Sequence, residues 1–536
     1  MHRRNFLKLT SGATVAGTLL FSCKGKKEVQ GSIIGSSANV GHLLRDKNFA
    51  APEEVARKKI VIVGGGISGL SAGYHLQKNG ENDFVLFDLE KEVGGNARHG
   101  ANSISAYPWG AHYVPIPNNS LTEYQEFLQE SGVITGTAKS GLPIYNEAYL
   151  CFDPQERLYI NGRWQDGLVP HYGLPPYEQE QVQRFLALMD NFRHQKGDDG
   201  REAFAIPVDT STKDDKFVLL DQLTMKGWLV QNDFTSPALH WYVNYCTRDD
   251  FGSTHDTVSA WMGIHYFASR KGRGENASHS DVLTWPEGNG FLANHLAKNL
   301  DENTKIGCMV VAIQPSADGV RITYVDTGDG KLKAVDAEQC ILAVPQFIAA
   351  RLLKDEDRIR KVAAHFHYTP WMVANLTVGT LKERTGAPSS WDNVIYGSPS
   401  LGYVVATHEM VQQNIPKRNL TYYLPLTGGT PAEERKKAQQ RSYKEWVGLI
   451  VNDLKKVHPD IEEKVESLDI MLWGHAMVQP LPGMAHGTIR QETSASINDT
   501  IHFAHTDLAG SSIFEEAFYQ GIHAARKVLQ HNRPTA

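Results

Sequence analysis

Three glycines early in the chain have the spacing of a loop that binds phosphate. Gly64, Gly66 and Gly69 form the pattern G-x-G-x-x-G. The first glycine permits a tight turn, the second lets a pyrophosphate approach the backbone, and the third lets a helix pack closely. Asp88 follows 19 residues after Gly69, where a carboxylate accepts hydrogen bonds from an adenosine ribose and repels a 2′-phosphate. The pattern therefore predicts an adenine dinucleotide site, with Ser68 in the loop beside the phosphates.

The elements around this loop have the patterns that such a site requires. Residues 59–63 are a continuous apolar and mostly β-branched run after one lysine, which is typical of a buried parallel strand. Residues 70–78 have helical spacing, and the apolar run 84–87 ends at Asp88 as a second strand. Strand, glycine loop, helix and strand together indicate a Rossmann-like βαβ unit, whose helix N-terminus supplies N–H donors to phosphate.

A second glycine pair lies shortly after the ribose acid. Gly94 and Gly95 follow Asp88 by six and seven residues and offer another backbone approach to phosphate or ribityl oxygens. Together with the first loop, this arrangement resembles the FAD-dependent flavin amine oxidase superfamily, which includes phytoene-desaturase-like and protoporphyrinogen-oxidase-like enzymes. The family usually has Glu at the position of Asp88 and Arg at the position of Asn96. The spacing from the acid to the glycine pair is the same in the family and in this chain.

Two later blocks carry the same resemblance, in the order of the family. Residues 285–292 resemble its Pro-x-Gly-Gly turn, and residues 340–345 resemble its strand that ends in proline. Residues 514–517 resemble the start of the helix that faces the flavin. The resemblance implies FAD contacts from these residues: Gly64, Gly66, Ser68, Gly69, Asp88, Gly94, Gly95, Asn96, Gly110, Ala111, Val310, Asp507, Glu515, Glu516 and Ala517.

The dispersed blocks predict an α/β fold. One Rossmann-like FAD-binding domain is expected to be built from discontinuous segments, with an α+β substrate domain formed by the insertions. The crevice between the two is the expected ligand site. The predicted boundaries are 1–23 for an export signal, 24–55 for a flexible tether, 56–150, 281–350 and 476–536 for the FAD-binding domain, and 151–280 and 351–475 for the substrate domain.

The first insertion combines aromatic and acidic residues. Seven of the residues in 241–267 are aromatic, and Asp249 and Asp250 are adjacent among them. One interpretation is an aromatic helix pair that forms core, with the acids in an ion pair or a helix cap. The other is an aromatic-lined tunnel in which the acids hold a cation. The second interpretation makes Asp249, Asp250, Trp261 and His265 candidate substrate-binding residues.

Three residues are candidate catalytic residues by their place in the resemblance. His112 follows Gly110 and Ala111 in a segment that approaches the isoalloxazine ring in the family. Trp473 stands where family members often present an aromatic residue to the flavin, although packing between domains would also explain it. Arg351 occupies the offset at which many members have a lysine. Because arginine cannot act as a base at neutral pH, chemistry that needs such a lysine is not expected here.

The resemblance implies oxidation of a C–N bond of an amine, either a polyamine or an amino acid, by hydride transfer to flavin N5. The aromatic and acidic insertion favours a polyamine. One alternative is a desaturase or isomerase of an isoprenoid or tetrapyrrole, which predicts an apolar tunnel without paired acids. Another is an FAD-holding binding or assembly module without turnover. FAD is expected to be non-covalent because no cysteine lies near the C-terminal block, and dioxygen, a quinone or a cytochrome would reoxidise it.

The first residues have the features of an export signal. Arg3 and Arg4 precede Phe-Leu-Lys and a short, mildly apolar stretch, which resembles a twin-arginine signal. The sequence Leu-Phe-Ser-Cys ending at Cys23 resembles a lipobox. We therefore expect a periplasmic or cell-envelope protein with a lipid at Cys23 as its membrane contact.

Composition excludes several classes of protein. The 536 residues carry a formal net charge of −6, which is unlike the basic character of a nucleic-acid-binding protein. The five cysteines include no C-x-x-C pair, and the 22 histidines show no metal-binding spacing, so no metal site is expected.

Overall fold

The computed structural model describes residues 28–35, 37–46, 49, 51–316, 319–410 and 416–531. The predicted export signal at 1–23, with Cys23, lies outside the described residues, so the export and lipid anchor stay a prediction. In the described part of the chain, no helix combines the length and hydropathy needed to cross a bilayer.

The glycine loop follows a central strand of a seven-stranded sheet. Residues 60–63 of that strand are at most 4% exposed, as expected for a parallel strand covered on both faces. In order, the strands are Thr304–Lys305, Phe84–Phe87, Glu54–Val63, Leu332–Leu342, Gly319–Asp326 and Cys308–Ser316, with Ile501–Phe503 pairing with the end of Leu332–Leu342. The first four run parallel and the next two are antiparallel. The predicted α/β class is confirmed.

A second, mixed sheet of eight strands uses the insertions. Its strands, in order, are Ile33–Gly35, Val465–Val478, Tyr368–Gly379, Lys417–Pro425, Gly402–Val405, Asp392–Ile395, Glu156–Ile160 and Arg163–Asp166. Three two-stranded pairs complete the strands: Val282–Thr284 with Tyr113–Pro115, His99–Ala101 with Ala106–Pro108, and Ile134–Thr137 with Pro143–Tyr145. The proposed domain boundaries stay a prediction.

Helices cover the sheets. The α-helices are Ala38–Gly41, Leu43–Asp46, Ile67–Lys78, Thr122–Glu130, Pro176–Arg193, Asp215–Val218, Met225–Gln231, Pro237–Phe251, Ala260–Ala268, Gly290–Ala297, Gln346–Leu353, Glu356–His365, Pro431–Gln440, Tyr443–Leu454, Ile461–Lys464, Thr488–Ser494 and Phe514–His531. Helices Ile67–Lys78 and Phe514–His531 pack closely at Gly521, where an added Cβ would lie 2.1 Å from Ser68 O. This packing brings the N-terminal ends of both helices to one place.

The predicted flexible tether at 24–55 is wrong for part of its length. Ile33–Gly35 forms a parallel edge strand on Ile470, Met471 and Leu472. The segment has no alternating pattern because it is short and mostly solvent-facing, and backbone hydrogen bonds to Val465–Val478 hold it in place. The strand of the glycine loop also begins at Glu54, inside the predicted tether.

Candidate functional site

Two adjoining cavities lie where the helix N-termini meet. The first, which we call the glycine-loop cavity, has about 1020 Å³ of empty space and is lined by Gly64, Gly66 and Asp88, among others. The second, the aromatic cavity, has about 820 Å³ and is lined by rings and carboxyl groups. The two share these wall residues: Asn96, Ala111, Asn289, Ala476, Ser512, Ile513 and Phe514. A ligand bound in the first cavity can therefore present one end to the second.

The three glycines of the loop differ in what surrounds them. Gly64 has a positive φ of 107°, and a Cβ on Gly69 would lie 1.8 Å from Gly64 O, so these two close the turn. At Gly66, by contrast, an added Cβ meets nothing within 4 Å because it would point into the cavity. The turn is built to leave its backbone open on one side, as a bound pyrophosphate requires.

Asp88 is hydrogen-bonded to the first glycine loop. Its carboxylate accepts hydrogen bonds from Gly65 N at 2.6 Å and Glu90 N at 2.7 Å, and the Gly94 amide donates to Gly65 O at 2.7 Å. Burial raises the pKa of Asp88 to about 6, although the two amides oppose that shift. Asp88 therefore lies in the wall of the glycine-loop cavity, and its role as a ribose ligand stays a prediction.

The helix that follows the glycine loop has amide donors available at its N-terminus. Gly66 is the N-cap of Ile67–Lys78 and provides no side-chain cap, so the amides of the first turn remain available to a phosphate. Ile67 and Ser68 line the cavity there. Asn289, which is 3% exposed and lines both cavities, has a side-chain oxygen without a hydrogen-bond partner in the described structure.

The aromatic cavity has its rings fixed against one backbone segment. Trp473 Nε1 donates to Trp109 O at 2.6 Å, and the Tyr423 hydroxyl donates to Gly110 O at 3.0 Å. His112 stacks on Tyr423 with ring centroids 4.5 Å apart. Burial lowers the pKa of His112 to about 4, so this imidazole is neutral at physiological pH. His112 and Trp473 both line the cavity, as the resemblance implied.

The two adjacent acids of the insertion are not equivalent. Asp250 forms an ion pair with Arg270 at 2.7 Å. Asp249 accepts one long hydrogen bond from the Tyr113 hydroxyl at 3.3 Å and has no ion pair within the described residues. Burial, and then the charge of Asp250, raise the pKa of Asp249 to about 7. Asp249 is therefore a carboxyl group of the cavity that lacks a cation in the described structure.

The helix Phe514–His531 contributes a further acid to the same cavity. Glu515 lines it, and burial raises the pKa of this carboxyl to about 7. One of its oxygens has no hydrogen-bond partner in the described structure. Ala517 lines the glycine-loop cavity instead.

Some predicted cofactor residues lie near the cavities without lining them. Glu516 turns toward Val208 and accepts its amide at 2.6 Å, so it is not a cavity residue. Val310 packs its side chain in the core of the seven-stranded sheet. Asp507 is fully buried, and accepts the Tyr368 hydroxyl and the Gln346 amide, both at 2.7 Å. It positions Tyr368 in the wall rather than forming the wall itself.

Three other predicted residues lie away from both cavities, which corrects their expected roles. Trp261 is fully buried in the core, with its ring 5.3 Å from that of Phe204. His265 bonds to Ala205 O at 2.8 Å, and burial lowers its pKa to about 3. Arg351 lines a third cavity, and no lysine is among the residues that line either of the first two.

Sequence reasoning missed several residues of the aromatic cavity. Arg270, Trp371 and Tyr423 line it beside the predicted acids. Trp371 and Tyr423 lie on neighbouring strands of the eight-stranded sheet, far from the acids in sequence. The basic residues that follow the aromatic helix Ala260–Ala268 were a signal for an ion pair with the acids, because a buried charge needs a partner.

Comparison with known proteins agrees with this geometry. Residues 67–529 match the profile of flavin containing amine oxidoreductases. A solved structure of putrescine oxidase bound to putrescine has a TM-score of 0.65 at 16% identity and covers 89% of this chain and 100% of its own. A CLA-producing fatty acid isomerase from P. acnes has a TM-score of 0.61 at 16% identity and covers 87% of this chain and 97% of its own. At such identities these structures show the fold alone.

A curated relative matches a short part of the chain. Mitochondrial dimethylglycine dehydrogenase of Rattus norvegicus is 32% identical over 90 residues, which is 17% of this chain. The chain spans about a tenth of the length of the curated relatives that it matches.

The residues present fit the cofactor of this family. The open face at Gly66, the uncapped helix amides, the acid at Asp88 and the unpartnered Asn289 oxygen are the groups that a dinucleotide would use. None of the four described cysteines lines either cavity. Because the profile match covers most of the chain, this protein belongs to the flavin-containing amine oxidoreductase family, and its cofactor is FAD.

Proposed function

We propose that this protein oxidises an amine at a C–N bond with FAD as the oxidant. One observation carries the proposal: Asp249, a half-buried carboxyl with no ion-pair partner among the described residues, lines an aromatic cavity that adjoins the glycine-loop cavity. A carboxylate and aromatic faces both attract an ammonium group, and their attraction is stronger where water is excluded. The site thus offers carboxyl groups that are not matched by a cation, on Asp249 and Glu515, to a cationic ligand.

The charges of the cavity favour a polyamine over an amino acid. Its lining holds three carboxyl groups, on Asp249, Asp250 and Glu515, and one guanidinium, Arg270, which is already paired with Asp250. The carboxylate of an amino acid would have no free cation to bind and would face these acids. An amine without a carboxylate avoids that repulsion.

A second carboxyl group of the aromatic cavity also has no ion pair among the described residues. Glu515 lines the cavity with Asp249, and one of its oxygens has no hydrogen-bond partner in the described structure. A second ammonium group on the same chain would pair with Glu515, which supports a diamine or polyamine as substrate.

The protein's own groups bind and orient this substrate. Bound FAD supplies the two-electron oxidation that converts the amine to an imine. Asp249 holds one ammonium group, while Trp371, Tyr423 and Trp473 enclose the carbon chain and exclude water. Neutral His112, stacked on Tyr423, adds a wall without a positive charge that would repel the substrate.

Binding of such a substrate is expected to strengthen as the pH rises through about 7. Asp249, with its pKa of about 7, must be ionised to pair with an ammonium group, which itself stays protonated up to about pH 10. The half-saturating concentration of spermidine in anaerobic flavin bleaching should fall about tenfold between roughly pH 6 and pH 8. An Asp249→Asn variant should show a smaller dependence, because only Glu515 would then titrate in this range. Weaker binding at the higher pH in the unmodified protein would contradict the role of Asp249.

A further inference from the structure

A third cavity lies against the glycine-loop cavity. This arginine cavity, with about 1190 Å³ of empty space that opens to solvent, has an apolar floor that includes Phe347, Ile359, Val362 and Phe366. Neither the sequence motifs nor the amine site account for it. Its volume suits an organic molecule rather than an ion or a diatomic gas.

Two rings separate the arginine cavity from the glycine-loop cavity. Tyr368 and His475 line both of them. Phe347 stacks on His475 with centroids 4.4 Å apart and meets Tyr368 at 5.0 Å. The residue after His475, Ala476, lines both the glycine-loop and the aromatic cavity. A molecule in the arginine cavity is therefore separated from the cofactor site by a single layer of side chains.

The charged groups that line the arginine cavity are both hydrogen-bond donors. Arg351 and Arg435 line it, the lining contains no carboxyl group, and neither guanidinium has a carboxylate partner in the described part of the chain. One nitrogen of Arg435 donates to Tyr368 O at 2.9 Å, which fixes its head against the ring layer, and burial lowers its pKa. The site offers N–H donors above an apolar floor. It thus suits a flat apolar molecule that carries oxygen acceptors.

We propose that the arginine cavity binds the quinone that reoxidises the flavin. In this step the reduced flavin gives up two electrons and two protons, and the quinone takes them on its two oxygens and leaves as a quinol. Arg351 and Arg435 would donate hydrogen bonds to the quinone oxygens, and the apolar floor would hold its ring. A cytochrome would need a broad docking surface, whereas this feature is a concave pocket.

The first test measures binding without turnover. Menadione is titrated calorimetrically into the oxidised, FAD-loaded protein and into two variants of the helix Glu356–His365. Ala363→Trp places an indole in the cavity, whereas Ala364→Trp alters an equally exposed position that does not line it. We expect Ala363→Trp to weaken menadione binding at least about tenfold and Ala364→Trp to leave it unchanged.

The second test measures reoxidation and does not depend on the amine. The protein is reduced with dithionite, and its flavin is reoxidised by menadione or by dioxygen. Ala363→Trp should slow reoxidation by menadione about tenfold or more without slowing reoxidation by dioxygen. Because no amine is used, failure here is distinct from failure of the amine proposal.

A further variant distinguishes the loss of a menadione contact from misfolding. Arg351 is exposed, so Arg351→Gln should preserve the thermal unfolding profile and still weaken menadione binding by about tenfold, through loss of a charged donor. Equal menadione binding in the unmodified protein, Ala363→Trp and Arg351→Gln would overturn the proposal. Binding of inorganic phosphate at this cavity in place of menadione would overturn it as well.

Discussion

A Gly66→Glu variant is expected to fold normally and to lose its FAD. The backbone at Gly66 has a φ of −74° and a ψ of −178°, which any residue adopts, and an added Cβ meets nothing within 4 Å. The new side chain would project into the glycine-loop cavity. A carboxylate placed against a pyrophosphate costs several kcal/mol, so FAD affinity should fall at least about 100-fold. The measurement is the flavin-to-protein ratio after reconstitution, together with the thermal unfolding of the apoprotein.

Gly69→Ala is the matched control in the same loop. A Cβ at Gly69 would lie 1.8 Å from Gly64 O, inside the packed turn and away from the cavity. This change should lower the free energy of unfolding by about 1–3 kcal/mol in the apoprotein, where Gly66→Glu should not. A Gly66→Glu protein that retains flavin at the normal ratio would show that the dinucleotide does not lie across this loop.

Asp249→Asn is expected to weaken polyamine binding by about 10- to 150-fold while FAD stays bound. Asp249 lines the aromatic cavity and has neither an ion pair nor a short hydrogen bond in the described structure. A hydrogen bond to a charged group contributes about 1.5–3 kcal/mol, which corresponds to that range of affinity. The measurement is the concentration of spermidine that gives half the maximal rate of anaerobic bleaching.

The control for charge alone is Asp190→Asn. Asp190 is exposed on a helix outside the cavities, where an ion pair with Arg193 contributes little. Removing its charge changes the net charge by the same amount and should leave spermidine binding unchanged. Equal binding by Asp249→Asn and the unmodified protein would remove Asp249 from the substrate site.

The predicted site residues that lie together in the cavity walls are those whose positions are set by local geometry. Gly64, Gly66 and Asp88 lie in one βαβ unit, where a turn, a helix N-terminus and a strand end are close in space because they are close in sequence. His112 and Trp473 were reached through the family resemblance, and both line the aromatic cavity.

The features that could not be predicted from the sequence depend on packing between residues that are far apart in the chain. Asp249 and Asp250 are adjacent on one helix, and only the position of Arg270 decides which of them is neutralised. Trp261 and His265 have the same residue types as a cavity wall, but they face the core of the helical layer. The strand Ile33–Gly35 has no internal pattern, since the partner strand holds it.

We expect an amine in the aromatic cavity to reduce the bound flavin. The most direct measurement adds spermidine, putrescine, an amino acid or a carotenoid precursor anaerobically to the purified FAD-loaded protein and follows its visible flavin absorbance. We expect bleaching by spermidine or putrescine, and little or none by the amino acid or the polyene. Bleaching by the polyene alone would indicate a desaturase on this scaffold, and a flavin that none of these compounds reduces would contradict amine oxidation at this site.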